Sequence, residues 1–271
     1  MTDAPRYTAD ALVQGFPGKA TVHGGLGWSG VTLLRGDGRT MLVDCGGFGV
    51  RAPLAQALAD HGVAPGDVTD VLLTHVHYDH AVNALLFPRA ALWIGAADLE
   101  WACAREPGFD PVPELYAREL DRHPRTRRVD GDGPVLPGVD AFAAPGHTPG
   151  CLVYRVPAAD GTTLLFAGDA VKNRAELLSG EVDMTVDRAA SEASVRRVRD
   201  LFAATPDAVL VPGHDLPLHA GSDGVVAHVG RRDAGIAAWF GETLADTTVF
   251  DLTPAGGPCS PSAATRATVS R

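Results

Sequence analysis

Thr74-His75-Val76-His77-Tyr78-Asp79-His80 places four metal-capable side chains within six residues. The apolar run Val71-Leu72-Leu73 leads into it and predicts a buried strand, so the histidines and the aspartate fall on the loop that follows. Imidazole nitrogen and carboxylate oxygen are the usual ligands of a borderline-soft divalent ion such as zinc. A lone histidine carries little information, since most are surface residues or hydrogen-bonded core residues. Three imidazoles and a carboxylate packed this tightly would crowd one another with no energetic return unless they bind something.

Further along, Pro145-Gly146-His147-Thr148-Pro149-Gly150 and Val211-Pro212-Gly213-His214 each set a histidine after a Pro-Gly pair. Phe166-Ala167-Gly168-Asp169 ends an apolar run on an aspartate, and Leu42-Val43-Asp44-Cys45-Gly46-Gly47 does so upstream. With the H-x-H-x-D-H stretch, these motifs resemble, in order, the signature of the metallo-β-lactamase-fold hydrolase superfamily. They run from Asp44 to His214, most of the chain. The resemblance implies an α/β (α+β) fold, a four-layer αβ/βα sandwich with two sheets face to face and helices outside. It also implies a binuclear site. His75, His77 and His147 would take one ion, Asp79, His80 and His214 a second, and Asp169 would bridge them through its two oxygens. Two Zn2+ ions are the expected cofactors, although the same donors accept iron or manganese. Protein ligands that leave positions for solvent mark a catalytic site. In such sites ions roughly 3.5–4 Å apart share a hydroxide that attacks an electrophilic carbonyl. Asp79 and Asp169 are the catalytic candidates, and Asp79 could also orient the nucleophile or pass a proton to the leaving group.

The bridging aspartate bears on the branch. The family's β-lactamases generally lack it, whereas the full set looks like glyoxalase-II-type thioesterases, quorum-quenching lactonases and the nuclease branch. The expected reaction is hydrolysis of a small ester, lactone or thioester. An iron-dependent sulfur dioxygenase of the same fold, a phosphodiesterase or nuclease, and a β-lactamase are the alternatives. Lactonases of the family often carry a tyrosine shortly after the bridging aspartate, but Ala170-Val171-Lys172-Asn173-Arg174 has none. Tyr78, Lys172 and Arg174 are the substrate-binding candidates. Either basic residue could reach a substrate carboxylate or a developing oxyanion, or simply form a solvated turn. Asp44 reads equally as a carboxylate orienting a ligating histidine or as an ordinary turn aspartate. His23, His61, His123, His219 and His228 match no ligand motif, although His23 and His219 are pocket candidates.

The 271 residues are 45% apolar, enough for one large domain or two small ones. A single domain over 1–252 with a flexible tail over 253–271 is expected. No apolar run approaches a membrane span, and no basic and apolar leader opens the chain, so cytoplasmic location is expected. Cys45, Cys103, Cys151 and Cys259 are widely spaced and predict no disulfide framework. A net charge of −10 disfavours nucleic acid as a partner; the basic runs Arg122–Arg128 and Arg196, Arg197, Arg199 read as solvated faces. A small-molecule substrate is expected, and nothing resembles a heptad seam that would announce an oligomer.

Periodicity predicts strands over Ala11–Gln14, Ala20–His23, Val31–Arg35, Thr40–Asp44, Ala91–Ile94, Val139–Ala143, Cys151–Val156, Thr163–Phe166 and Ala208–Val211. It predicts helices over Pro53–His61, Ala81–Leu86, Ala96–Arg105, Glu114–Arg122, Arg188–Ala203 and Gly224–Leu244. Trp101, Phe109 and Tyr116 lie where related enzymes shape the pocket, so one or two of them are expected to line it.

Overall fold

Parallel neighbours in a sheet require long crossovers, and the helical stretches of this sequence supply them. The structure, a computed structural model, describes residues 6–22 and 24–253. In chain order the elements are strands β1 (Thr8–Val13), β2 (Lys19–Ala20), β3 (Gly24–Gly25), β4 (Val31–Gly36) and β5 (Arg39–Val43), helix α1 (Arg51–Asp60), β6 (Asp70–Leu72), α2 (Tyr78–Ala81), β7 (Ala91–Gly95), α3 (Ala96–Cys103) and α4 (Glu114–Arg122). There follow β8 (Thr126–Val129), β9 (Gly133–Leu136), β10 (Val139–Ala143), β11 (Leu152–Pro157), β12 (Thr163–Gly168), α5 (Arg174–Ser179), α6 (Arg188–Ala204), β13 (Ala208–Pro212), β14 (Leu218–Ala220), β15 (Val226–His228), β16 (Gly235–Trp239) and β17 (Thr247–Asp251).

The first sheet has the order β1-β4-β5-β6-β7-β8 and turns from antiparallel to parallel once α1 carries the chain from β5 to β6. The second has the order β15-β14-β13-β12-β11-β10-β9, with α5 and α6 spanning its one parallel pair, β12 and β13. Successive strand residues point to opposite faces, and three apolar clusters result. Leu33, Leu42 and Val71 pack with Leu54 and Leu58 of α1, Leu99 of α3 and Leu120 of α4. Their chain neighbours Leu34, Met41 and Leu72 turn the other way, onto Val139, Leu152, Tyr154 and Phe166 of the second sheet. On that sheet's far side, Val153, Leu165 and Leu210 meet Leu177 of α5 and Val195, Val198 and Phe202 of α6. Helix–sheet, sheet–sheet and sheet–helix interfaces make the four-layer αβ/βα sandwich.

Two compact units divide at Gly230 and Arg231, and the β16–β17 hairpin belongs to the second. The helix expected over Gly224–Leu244 is not formed. Gly224 and Gly230 sit at φ of 77° and 88°, outside any right-handed helix, and Val226–His228 instead pairs with Leu218–Ala220 as β15. The expected helix over Ala81–Leu86 begins earlier, at Tyr78, and is followed by a separate 3-10 turn at Ala84–Leu86. Asp79 and His80 therefore sit on a helical turn rather than on a loop. Of the strand expected over Ala20–His23 only Ala20 is in a strand, and Thr21-Val22 form a turn. The other expected strands and helices form within a few residues of their predicted bounds, α4 without any shift, while β8, β9, β14 and α5 had no predicted counterpart. The expected tail lies outside the described residues from 254 onward, as does His23. No helix among the described residues is long and apolar enough to cross a membrane, and Cys45, Cys103 and Cys151 are free thiols.

Leu72 is fully buried between the sheets. Leu72→Ala is expected to cost about 2–5 kcal/mol, read as a lowered urea midpoint.

Candidate metal centre

The candidate ligands sit just beyond strand ends. Because β5 and β6 run parallel, Asp44 and Thr74 emerge side by side, and the parallel β12 and β13 do the same for Asp169 and His214. Hydrogen bonds join the two sheets at this edge: Leu152 N donates to Thr74 O at 2.9 Å, Gly30 N to Gly213 O at 2.8 Å, and the Tyr154 side-chain hydroxyl to Leu73 O at 2.9 Å. Gly168, at φ +48°, lies against Thr74, and a Cβ there would overlap the Thr74 side chain. Only glycine serves a left-handed backbone in so tight a space.

All seven candidates meet in space, in two groups. The Nε2 atoms of His75 and His147 lie 3.1 and 2.9 Å from Nδ1 of His77. His80 Nε2 is 3.4 Å from His214 Nε2 and 3.8 Å from Asp79 Oδ2, while His214 Nε2 is 3.3 Å from that oxygen. Asp169 stands between them: Oδ2 is 3.3 Å from His147 Nε2, and Oδ1 is 3.3 Å from His80 Nε2 and 3.2 Å from His214 Nε2. Asp169 Oδ1 is buried without a partner of hydrogen-bond geometry. A buried oxygen left this way, beside nitrogens turned on one another, is costly unless a cation satisfies them. Five imidazoles and two carboxylates are a donor set suited to divalent ions, and the ligand atoms within each trio converge closely enough to hold one.

The two groups differ electrically. Burial pulls the His75 imidazole well below its ordinary range, His77 down to about 4 and His147 to about 3. These rings are neutral at neutral pH, as ligation requires. Burial also lowers His80, but Asp44, Asp79 and Asp169 outweigh it and hold the ring well above the usual value; Asp169 does the same for His214. Burial alone would raise the Asp169 carboxyl, yet the His214, His80 and His147 rings keep it well below the carboxylate range.

Of its two readings, Asp44 takes the orienting one. Its Oδ2 accepts from His80 Nδ1 at 2.8 Å and its Oδ1 from Thr74 N at 2.8 Å, which turns His80 Nε2 toward the centre. Asn83 was not legible in the sequence, because no spacing or motif marks it. Its carboxamide donates to the carbonyls of Cys45, Gly46 and Gly47 at 2.8–3.0 Å and pins the loop after Asp44.

A cavity of about 770 Å³ opens over the centre. His77, Asp79, His147, Asp169 and His214 form its floor, and Tyr78, Trp101, Lys172, Met184 and Val186 are among its walls. Arg174 is not part of it: its Nε donates to Val226 O at 2.8 Å, which draws the guanidinium to β15. Trp101 lines the cavity, whereas Phe109 is fully exposed and Tyr116 packs edge-on to Phe48 at 5.6 Å. His219 lies by the Ala208 carbonyl, away from the cavity. The thiols of Cys45 and Cys151 are buried and pushed up by that burial, so neither is a nucleophile.

The profile of the Metallo-beta-lactamase superfamily matches residues 29–214. Metallo-beta-lactamase domain-containing protein 1 of Xenopus laevis is 32% identical over 73% of this chain and 75% of its own length. The match spans 58% of the human counterpart. N-acyl homoserine lactonase of Bacillus thuringiensis is 25% identical over 57% of this chain and 59% of its own. Among solved structures, a quorum-quenching N-acyl homoserine lactone hydrolase superposes with a TM-score of 0.65, at 19% identity, over 79% of this chain and 94% of that one.

Asp44→Ala removes the acceptor that orients His80. It is expected to weaken divalent-ion affinity about 10–100-fold, measured by competition with a chromophoric chelator.

Proposed function

Because this chain belongs to the metallo-beta-lactamase superfamily, we propose that it is a metal-dependent hydrolase whose seven clustered residues hold two divalent ions, zinc foremost, to open a small neutral ester, lactone or thioester. The observation that carries this reading is Asp169, which turns one carboxylate oxygen toward each group of imidazoles. Bound ions supply Lewis acidity, which yields a hydroxide nucleophile from water at neutral pH and polarises a carbonyl.

The protein's own residues do the rest. Asp44 and Asn83 keep the His80 side in place. Asp79 reaches the cavity and lies beside His214, placed to take a proton from the attacking water and pass it to the leaving group. Burial, then the Asp79 charge, raises the Tyr78 hydroxyl, so it stays protonated and offers a donor to the substrate. Lys172 shares its ammonium with Glu176 at 3.0 Å and can lend it to a developing oxyanion. Trp101, Met184 and Val186 provide apolar wall for an acyl group.

Wall charge supports a neutral substrate over a phosphodiester. The cavity's basic residues, Lys19, Arg105 and Lys172, are paired with Asp183, Asp110 and Glu176. Their charges are largely offset, so the wall offers little net attraction to a substrate that arrives anionic, while Lys172 keeps N–H donors for an oxyanion formed in the reaction. The lactonase named above is a relative whose substrate is of the favoured kind.

Chelation should abolish turnover and added Zn2+ restore it. Asp169→Ala should lower both bound metal and kcat/KM, the latter by more than about 100-fold. A panel of lactones, thioesters, phosphodiesters and β-lactams, with oxygen uptake followed in parallel, identifies the bond. Unchanged turnover in Asp169→Ala, or oxygen consumption in place of hydrolysis, would overturn the proposal.

A further inference from the structure

Asp98, on the first turn of α3, is fully buried, yet no basic side chain among the described residues pairs with it. Its partners are backbone and hydroxyl groups. Oδ2 accepts from Val76 N at 2.7 Å, and Val76 stands between His75 and His77. Oδ1 accepts from Gly150 N at 3.2 Å, three residues past His147, and the Thr148 hydroxyl also bonds the carboxylate. One carboxylate thus ties together the two loops that carry His75, His77 and His147. The packing allows no slack: a Cβ on Gly150 would overlap Asp98, and one on Gly95 would overlap the Gly150 carbonyl. No hydrogen bond among the described residues joins Asp98 to Asp79, His80 or His214, and His80 is held by Asp44.

A buried carboxylate is costly unless its hydrogen bonds are strong. An apolar residue in its place would leave the Val76 and Gly150 N–H groups without acceptors, and the two loops would lose their shared anchor. Each loop brings ligands to the same trio, so a small separation between them acts on that trio first.

We propose that Asp98 is the positioning residue of the three-histidine half of the centre, so that its removal weakens one bound ion and spares the other. This rests on the reading that the seven residues hold two ions.

The test measures ions per chain by elemental analysis, and the two affinities by chelator titration, for the full-length protein, Asp98→Asn and Asp98→Ala loaded with Zn2+. Cobalt-loaded samples add a visible spectrum that reports each ion's ligand field. Two ions are expected in the parent protein. In the Asp98 variants one affinity should fall about 10–100-fold while the other stays within twofold. His75→Ala added to Asp98→Asn should deepen the loss at the weakened ion and leave the retained one in place, whereas His214→Ala should remove the retained one. Thr148→Val, which deletes one hydrogen bond to the carboxylate and keeps the backbone pair, should show a smaller loss at the same ion. It decides the matter if the Asp98 variants do not fold by circular dichroism. Equal weakening of both ions, or two unchanged affinities in variants of a two-ion parent, would overturn the role of Asp98 alone. Fewer than two ions in the parent protein would overturn the two-ion reading and this proposal with it.

Discussion

Asp169 is a buried carboxylate shared by two sets of imidazoles, and the surrounding structure makes that arrangement tolerable. Burial disfavours its charge, and the His214, His80 and His147 rings restore it. The restoration is lopsided. On one side burial holds three rings neutral. On the other, Asp44, Asp79 and Asp169 surround His80 with negative charge. The centre therefore has one half governed by desolvation and one governed by carboxylates, even though Asp169 belongs to both.

Such crowding is possible because the candidate ligands leave from strand ends that the sheets bring side by side. Parallel pairing aligns the carboxyl ends of β5 with β6 and of β12 with β13, and the sheet-to-sheet core sets one pair of ends against the other. Open α/β sheets bind ligands at the same place for the same reason. Close contact at the seam comes from Gly168, where a side chain would push Thr74 and Asp169 apart. Second-rank groups then hold the loops, with Asp44 and Asn83 on one side and Asp98 on the other. Membership in the superfamily accounts for the scaffold, but a fold hosts many reactions. The wall of the cavity includes Trp101, Met184 and Val186, and its cations Lys19, Arg105 and Lys172 are paired.

Much of this was legible before any coordinates. Four of the candidate ligands lie within six residues, and the others sit in short motifs that end apolar runs. Helices α4 and α6 were legible because each keeps one apolar face over two or more turns. The stretch from Gly224 misled because Val225, Val229, Ile236 and Phe240 mimic helical spacing, while glycine backbone and pairing with β14 decide otherwise. Arg174 looked available for substrate because it follows Asp169 closely, but its side chain satisfies a carbonyl on β15.

By itself the sequence determined the chemistry of the donors and many of the strands and helices before Gly224, since both are properties of neighbouring residues. Only the tertiary structure decided that His147, Asp169 and His214 join the histidine-rich segment, which carboxylates hold which half, and which side chains wall the cavity. Those outcomes depend on contacts between residues far apart in the chain, as between Asp98 and Gly150 or Asp44 and His80. Burial, which sets the charge of each group, exists only once the layers have closed over them.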